Sequence, residues 1–236
     1  MYTNLSDAVI LATSIRDGVE QLTSIEMILC PPVIWLTDIA DIIHSGLSLI
    51  SLGAQNIYYQ NEGEFTGEIS ASMVKDVAKY VIVGHSERKS IFGETNQIIS
   101  RKVAAVLDAG LSPIVCVGEE KQSENSVSEI VNDLREVLFG INKDELSRII
   151  VAYEPVWAVG AEEPATPEYC AKIITKLREV VSAETPILYG GSVNSSDAYE
   201  FIKRPEIDGV LVGRASLKAS EFVKICRIVS EYKKIV

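Results

Sequence analysis

Short apolar runs alternate with amphipathic stretches along the chain. The runs are Met27–Cys30, Leu49–Leu52, Tyr80–Gly84, Pro113–Val117, Ile149–Tyr153, Pro186–Tyr189 and Gly209–Val212. Each holds four or five residues, mostly Val, Ile and Leu, with no clean alternation of apolar and polar positions. Continuous apolar strands of this kind belong to a parallel sheet covered on both faces. Between them the apolar positions fall at helical spacing. Leu5, Ala8, Val9, Ala12, Ile15, Val19 and Leu22 share one face, and Val103, Val106 and Leu107 repeat the pattern before the fourth run. Strands and helices that alternate through seven strands predict an α/β fold of βα units with right-handed crossovers. No Pro/Ser-rich linker or low-complexity stretch breaks the series, so residues 1–236 read as a single domain.

A doubly wound open sheet and a closed (β/α)8 barrel both fit this alternation. Polar and glycine-rich residues gather just after the strands, in Gly84-His85-Ser86-Glu87, Gly118-Glu119-Glu120, Glu154-Pro155, Gly190-Gly191-Ser192 and Gly213-Arg214. Functional residues spread over many strand ends favour the barrel, whose site is assembled there. An open sheet concentrates its site at one switch point. The nucleotide-binding patterns GxGxxG and GxxxxGK[ST] are absent from the sequence, which weakens the open-sheet reading further.

Composition narrows the function by exclusion. At 47% hydrophobic and 23% charged, the chain has a globular composition. Its 22 basic and 33 acidic residues give a net charge of −11, which argues against nucleic-acid or anionic-membrane partners. A small anionic substrate stays open, because a local cluster of donors overrides the global sign. No apolar run approaches the ~18–20 residues that span a bilayer. The start, Met1-Tyr2-Thr3-Asn4-Leu5, lacks a basic stretch followed by an apolar one, so no signal peptide is expected. Cys30, Cys116, Cys170 and Cys226 form no CxxC pair, and two histidines in the whole chain argue against a zinc site. A reduced, cytosolic protein is expected.

Two titratable residues stand at strand ends. His85 follows the run Tyr80–Gly84, and Glu154 ends the run Ile149–Tyr153. Alone, each is more often an ordinary bonded or ion-paired side chain. At one barrel mouth they can divide acid and base roles. His44 lies in a helical stretch without such a companion and reads as structural. Ser192 and Gly213 follow the last two strands, where glycines let backbone N–H groups approach an oxyanion and barrels often hold phosphate.

Four segments then carry a resemblance. Val83-Gly84-His85-Ser86-Glu87-Arg88, Ala152-Tyr153-Glu154-Pro155-Val156-Trp157-Ala158, Leu188-Tyr189-Gly190-Gly191-Ser192-Val193-Asn194 and Gly209-Val210-Leu211-Val212-Gly213 resemble, in order and spacing, the signatures of the triosephosphate isomerase family. Ala54-Gln55-Asn56, Phe65-Thr66-Gly67-Glu68 and Cys116-Val117-Gly118-Glu119 extend the similarity over nearly the whole chain. The resemblance implies a TIM barrel and the interconversion of glyceraldehyde 3-phosphate and dihydroxyacetone phosphate, a step of glycolysis and gluconeogenesis. It implies that Glu154 is the base and His85 the neutral electrophile, the pairing known for this family. Cys116 and Glu87 would support them. Gly160, Ser192, Gly213 and Arg214 would hold the phosphate. Pro155–Thr166 would be the lid that excludes water, also a known family feature. No metal or organic cofactor is implied. Thr66 would sit on the loop that docks against a second subunit of a homodimer.

The front of the chain departs from that pattern. The family opens with a strand running into an Asn-Trp-Lys-Met-like segment whose lysine supplies a positive charge. Here helix periodicity begins at Leu5, and no lysine occurs before Lys75. Met1 falls where the methionine after that lysine stands, so a start placed inside a longer natural protein is the favoured explanation over a real truncation. Without the strand, Met27–Cys30 and Gly209–Val212 are expected to be unpaired edges, and activity and dimerisation to be weakened. In the lid, Glu162 replaces a flexible glycine and Pro164 fixes φ, on what is expected to be a solvent-facing tip. Arg214 stands where a second glycine is common, with its guanidinium expected to project outward. Lys89 replaces a frequent arginine, which puts one supporting ion pair in question. The alternatives are an inactive phosphate-binding barrel of the same family and, more remotely, a phosphate-binding isomerase of amino-acid biosynthesis.

Overall fold

The computed structural model describes residues 1–44, 49–158 and 165–233. All seven predicted runs are strands, with ends shifted by a residue or two. They are β1 (Met27–Leu29), β2 (Ile50–Ala54), β3 (Tyr80–Val83), β4 (Ser112–Val117), β5 (Ile150–Tyr153), β6 (Ile187–Tyr189) and β7 (Gly209–Val210). Every strand is parallel to the next, and the sheet order follows the sequence from β1 to β7. Parallel neighbours require a crossover on each link. The helices supply it: α1 (Leu5–Val19) before β1, α2 (Leu36–His44), α3 (Ala71–Val74), α4 (Ser86–Phe92) and α5 (Asn96–Asp108). They continue as α6 (Ser126–Val137), α7 (Lys143–Leu146), α8 (Pro167–Arg178), α9 (Ala198–Ile202) and, after β7, α10 (Ala219–Tyr232).

Side chains alternate across the sheet and sort into two cores. One is a large cluster between the sheet and the helices, including Val81, Val83, Val115, Val117, Val151 and Tyr153. The other set, Tyr80, Ile114, Cys116, Ile150 and Ala152, packs together on the opposite, inner face, with Ile28, Ile82, Leu188 and Leu211 against it. That two-faced burial explains why β4 and β5 read as unbroken apolar runs. Among the described residues no pairing joins β1 to β7, so the curled sheet stays open along that seam, as the sequence predicts. The inner side chains nearest the seam, Ile28 and Leu211, are accordingly only half-buried, while Cys116 and Ala152 are fully enclosed.

The helical layer does close over the seam. α1 packs along α10, and a Cβ at Gly18 would stand 2.6 Å from Val223 Cγ2. The hydroxyls of Ser24 and Ser230 lie 2.7 Å apart. α1 starts at Asn4, whose side chain accepts the Asp7 N–H at 2.9 Å, and buries Ala8, Ala12, Ile15 and Val19. Leu5 points to solvent instead, and Leu22 lies beyond the helix end. In α5 all of Val103, Val106 and Leu107 are buried, as the spacing predicts.

Candidate active site

β3 is followed by Gly84, whose φ of +71° turns the chain sharply toward α4. His85 then caps α4, its Nδ1 accepting the Glu87 N–H at 3.3 Å. An occupied Nδ1 lone pair leaves the ring proton on Nε2. That nitrogen lies 3.1 Å from Glu154 Oε1. The second carboxylate oxygen, Oε2, accepts the Ser86 N–H at 2.9 Å. The two residues singled out by sequence, 69 positions apart, thus meet directly at the C-terminal ends of β3 and β5.

Glu154 is 2% exposed, and its surroundings leave little freedom. A Cβ on Gly118 would fall 1.7 Å from the Glu154 carbonyl oxygen, so no other residue fits there without moving the backbone that carries the carboxylate. A Cβ on Gly190 would also come within 3.0 Å of Glu154 Cγ. Burial raises the Glu154 proton affinity above the ordinary carboxylate range, while His85, the Ser86 N–H and the Lys89 charge pull it back. Cys116, on the inner face of β4, is fully buried beside it. Burial, and then the Glu154 charge, push its thiol well up. Glu87 is exposed at the rim, with Oε2 4.0 Å from His85 Nδ1.

Ser192 follows β6, and Gly213 and Arg214 follow β7; all three are exposed at the same end of the sheet as the pair. A Cβ at Gly213 would meet nothing within 4 Å, so open space rather than crowding surrounds that position. Gly191 has a different reason to be glycine: its Cβ would lie 2.3 Å from the Tyr189 hydroxyl. Gly160, Glu162 and Pro164 lie outside the described residues. Of the predicted lid, the structure gives the entry, a short 3-10 turn at Val156–Ala158, and the exit, where the Thr166 side chain caps α8 and Pro167 opens it. His44 is exposed at the end of α2. Among the described residues no cluster of His, Cys, Asp and Glu suits a metal ion.

The sequence model of the family described as triosephosphate isomerase matches residues 1–229. The chain belongs to the triosephosphate isomerase family. A triosephosphate isomerase of Dehalococcoides mccartyi (strain CBDB1) is 48% identical, over 96% of this chain and 92% of that protein. One from Aquifex aeolicus is 43% identical, over 88% of this chain and 87% of its own length. The crystal structure of triosephosphate isomerase from Bartonella henselae superposes with a TM-score of 0.86 at 33% identity, covering 97% of this chain and 94% of that one.

Relative to other residues of this triosephosphate isomerase fold, Glu119 has a role that sequence reasoning missed. It is 6% exposed, and one oxygen, Oε1, accepts from Tyr153 OH (3.0 Å), Trp157 Nε1 (2.7 Å) and Tyr169 OH (2.9 Å). Its backbone oxygen also accepts the Val156 N–H at 3.1 Å. One carboxylate therefore ties the entry of the 155–166 segment to the helix that leaves it. The available signal was the acid after Gly118 together with the polar tips of three aromatics, which no spacing connects. A second missed group is the buried Lys102, whose Nζ donates to Asn56 Oδ1 (2.7 Å) and Glu94 Oε1 (2.6 Å), with Arg88 pairing to the same oxygen. This cluster joins the root of the loop bearing Thr66 to α4 and α5.

Proposed function

We propose that this chain interconverts glyceraldehyde 3-phosphate and dihydroxyacetone phosphate through an enediolate. The observation that supports this most is the contact of His85 Nε2 with a buried Glu154 carboxylate at the open ends of β3 and β5. Glu154 removes a proton from the carbon next to the carbonyl, and the same carboxyl returns it to the neighbouring carbon. His85 Nε2–H donates to the oxygen on which negative charge develops. One carbon is oxidised and its neighbour reduced, so the reaction balances within one molecule. Burial strengthens the base by raising its proton affinity toward the working pH. The N–H groups of Gly160, Ser192 and Gly213, with Arg214 at the rim, are the proposed phosphate cradle, and Cys116 and Glu87 the flanking support.

Steady-state isomerisation of glyceraldehyde 3-phosphate tests the reading, with Glu154→Gln as background. Weak turnover is expected, because among the described residues the sheet is open at the β1/β7 seam and no lysine precedes Lys75. Loss of one oxyanion donor costs roughly 10²–10³ in kcat. A rate above Glu154→Gln but at least that far below the Dehalococcoides mccartyi relative is the expected result. A rate equal to Glu154→Gln, with inorganic phosphate still bound in calorimetry, favours the inactive phosphate-binding barrel, and the lack of a lysine before Lys75 is the feature that speaks for it.

We also infer a homodimer and a reducing, cytosolic compartment. Phe65, Met73, Ile91 and Phe92 are exposed on segments that the Lys102–Asn56–Glu94 cluster ties together, and such apolar exposure suits a subunit face. All four cysteines are unpaired, and among the described residues no helix is long and apolar enough to cross a membrane. Light scattering across a wide concentration range is expected to show a dimer that dissociates on dilution; a monomer at every concentration rejects the inference.

A further inference from the structure

A small cavity of about 30 Å³ lies against Glu154. Its wall includes Ser86, Lys89, Cys116, Gly118, Glu120 and Glu154. That volume suits about one water molecule, and the lining offers several polar partners to hold it. Lys89 reaches this place for a geometric reason. It stands three residues after Ser86 in α4 and therefore lies on the same helix face, one turn further along. The Ser86 N–H already holds Glu154 Oε2. Arg88, its neighbour, faces elsewhere and is committed to Glu94. Among the described residues, no ion pair engages the half-buried Lys89 ammonium.

We propose that Lys89 is a positioning residue for the reaction, acting through Glu154 by setting its ammonium charge across this cavity from the carboxylate. The inference rests on the isomerase reading for what Glu154 does, but the electrostatic coupling itself does not. Two groups on the cavity wall respond to Lys89 in the same sense: its charge opposes the upward push of burial on both Glu154 and Cys116. The groups facing Glu154 are His85, Ser86 and Lys89 from β3–α4, Cys116 from β4 and Glu120 from the loop after it. Two nearby acids are not among them: Glu87 lies farther out against His85, and Glu119 turns its carboxylate to Tyr153, Trp157 and Tyr169. Lys89 is thus the cationic side chain on the cavity side of the base, and a charge a few ångströms from a buried carboxylate acts on it without direct contact.

Carboxyl ¹³C NMR on the whole chain tests this without relying on turnover, the Glu154 signal being assigned by its loss in Glu154→Gln. Lys89→Met is expected to move the Glu154 titration midpoint up by roughly 0.5–1 pH unit. Lys89→Arg, which keeps the charge, is expected to restore it. The acidic limb of kcat/KM should move by the same amount, with the rates of parent and Lys89→Met converging at high pH. If Lys89→Met does not fold, Lys89→Gln is measured in the same way. An unchanged midpoint in the neutral variant, or one that Lys89→Arg fails to restore, overturns the proposal. Shifted titration without isomerisation in any variant would instead reject the isomerase reading and leave the coupling standing.

Discussion

Glu154 carries two demands that conflict. As a base it needs burial, and burial disfavours its charge. A carboxyl whose folded value is raised stabilises the fold fully below its unfolded value of 4.5, and that contribution is lost as pH rises through the folded value. Glu154→Gln keeps the shape without the charge. It is therefore expected to unfold at a higher Tm than the parent near pH 8 and to converge with it near pH 4, while losing catalysis. Circular-dichroism melts at both pH values check this, and a parent more stable than the variant near pH 8 would sink it. His85 and Glu154 were legible in the sequence because each sits in a motif at a strand end. Glu119 was not, since its role depends on side chains delivered by β5, the turn after it and α8.

At the next scale up, Glu119 works as a tie between elements. Tyr153 at the end of β5, Trp157 in the turn after it and Tyr169 in α8 all donate to one oxygen. Glu119→Ala leaves three donors without an acceptor, and each buried orphan costs about 1–3 kcal/mol. The expected outcome is a loss of roughly 3 kcal/mol in urea unfolding, with Glu119→Gln intermediate because its carbonyl still accepts. A loss below about 1 kcal/mol would mean that water replaces the carboxylate and the tie is weak. The seven strands, α1 and α5 were legible because buried strands and longer amphipathic helices leave a period to read. α3, α7 and α9 were not, because four or five residues carry too little of a 3.6-residue repeat.

Across the whole molecule, the sheet is open where the helical layer is shut. Among the described residues β1 and β7 do not pair, yet α1 lies along α10 so closely that a Cβ at position 18 would press into the Val223 side chain. Gly18→Ala is expected to destabilise the chain by about 1–3 kcal/mol through overpacking against Val223. Val223→Ala removes the offending methyls, so the double variant should recover part of that loss, and strict additivity in the cycle would refute the contact. The same seam has a kinetic meaning. Each strand pairs with its successor across one βα unit, whereas Ser24 and Ser230 are 206 residues apart. Bringing such distant segments together costs chain entropy before contacts repay it, so units built from neighbours form first. The α1–α10 clasp is then the last part of the ring to form. Weakening it with Gly18→Ala should speed unfolding and leave the refolding rate untouched. In that sense the molecule behaves as a chain of units wound up in sequence order and then buckled once, from outside.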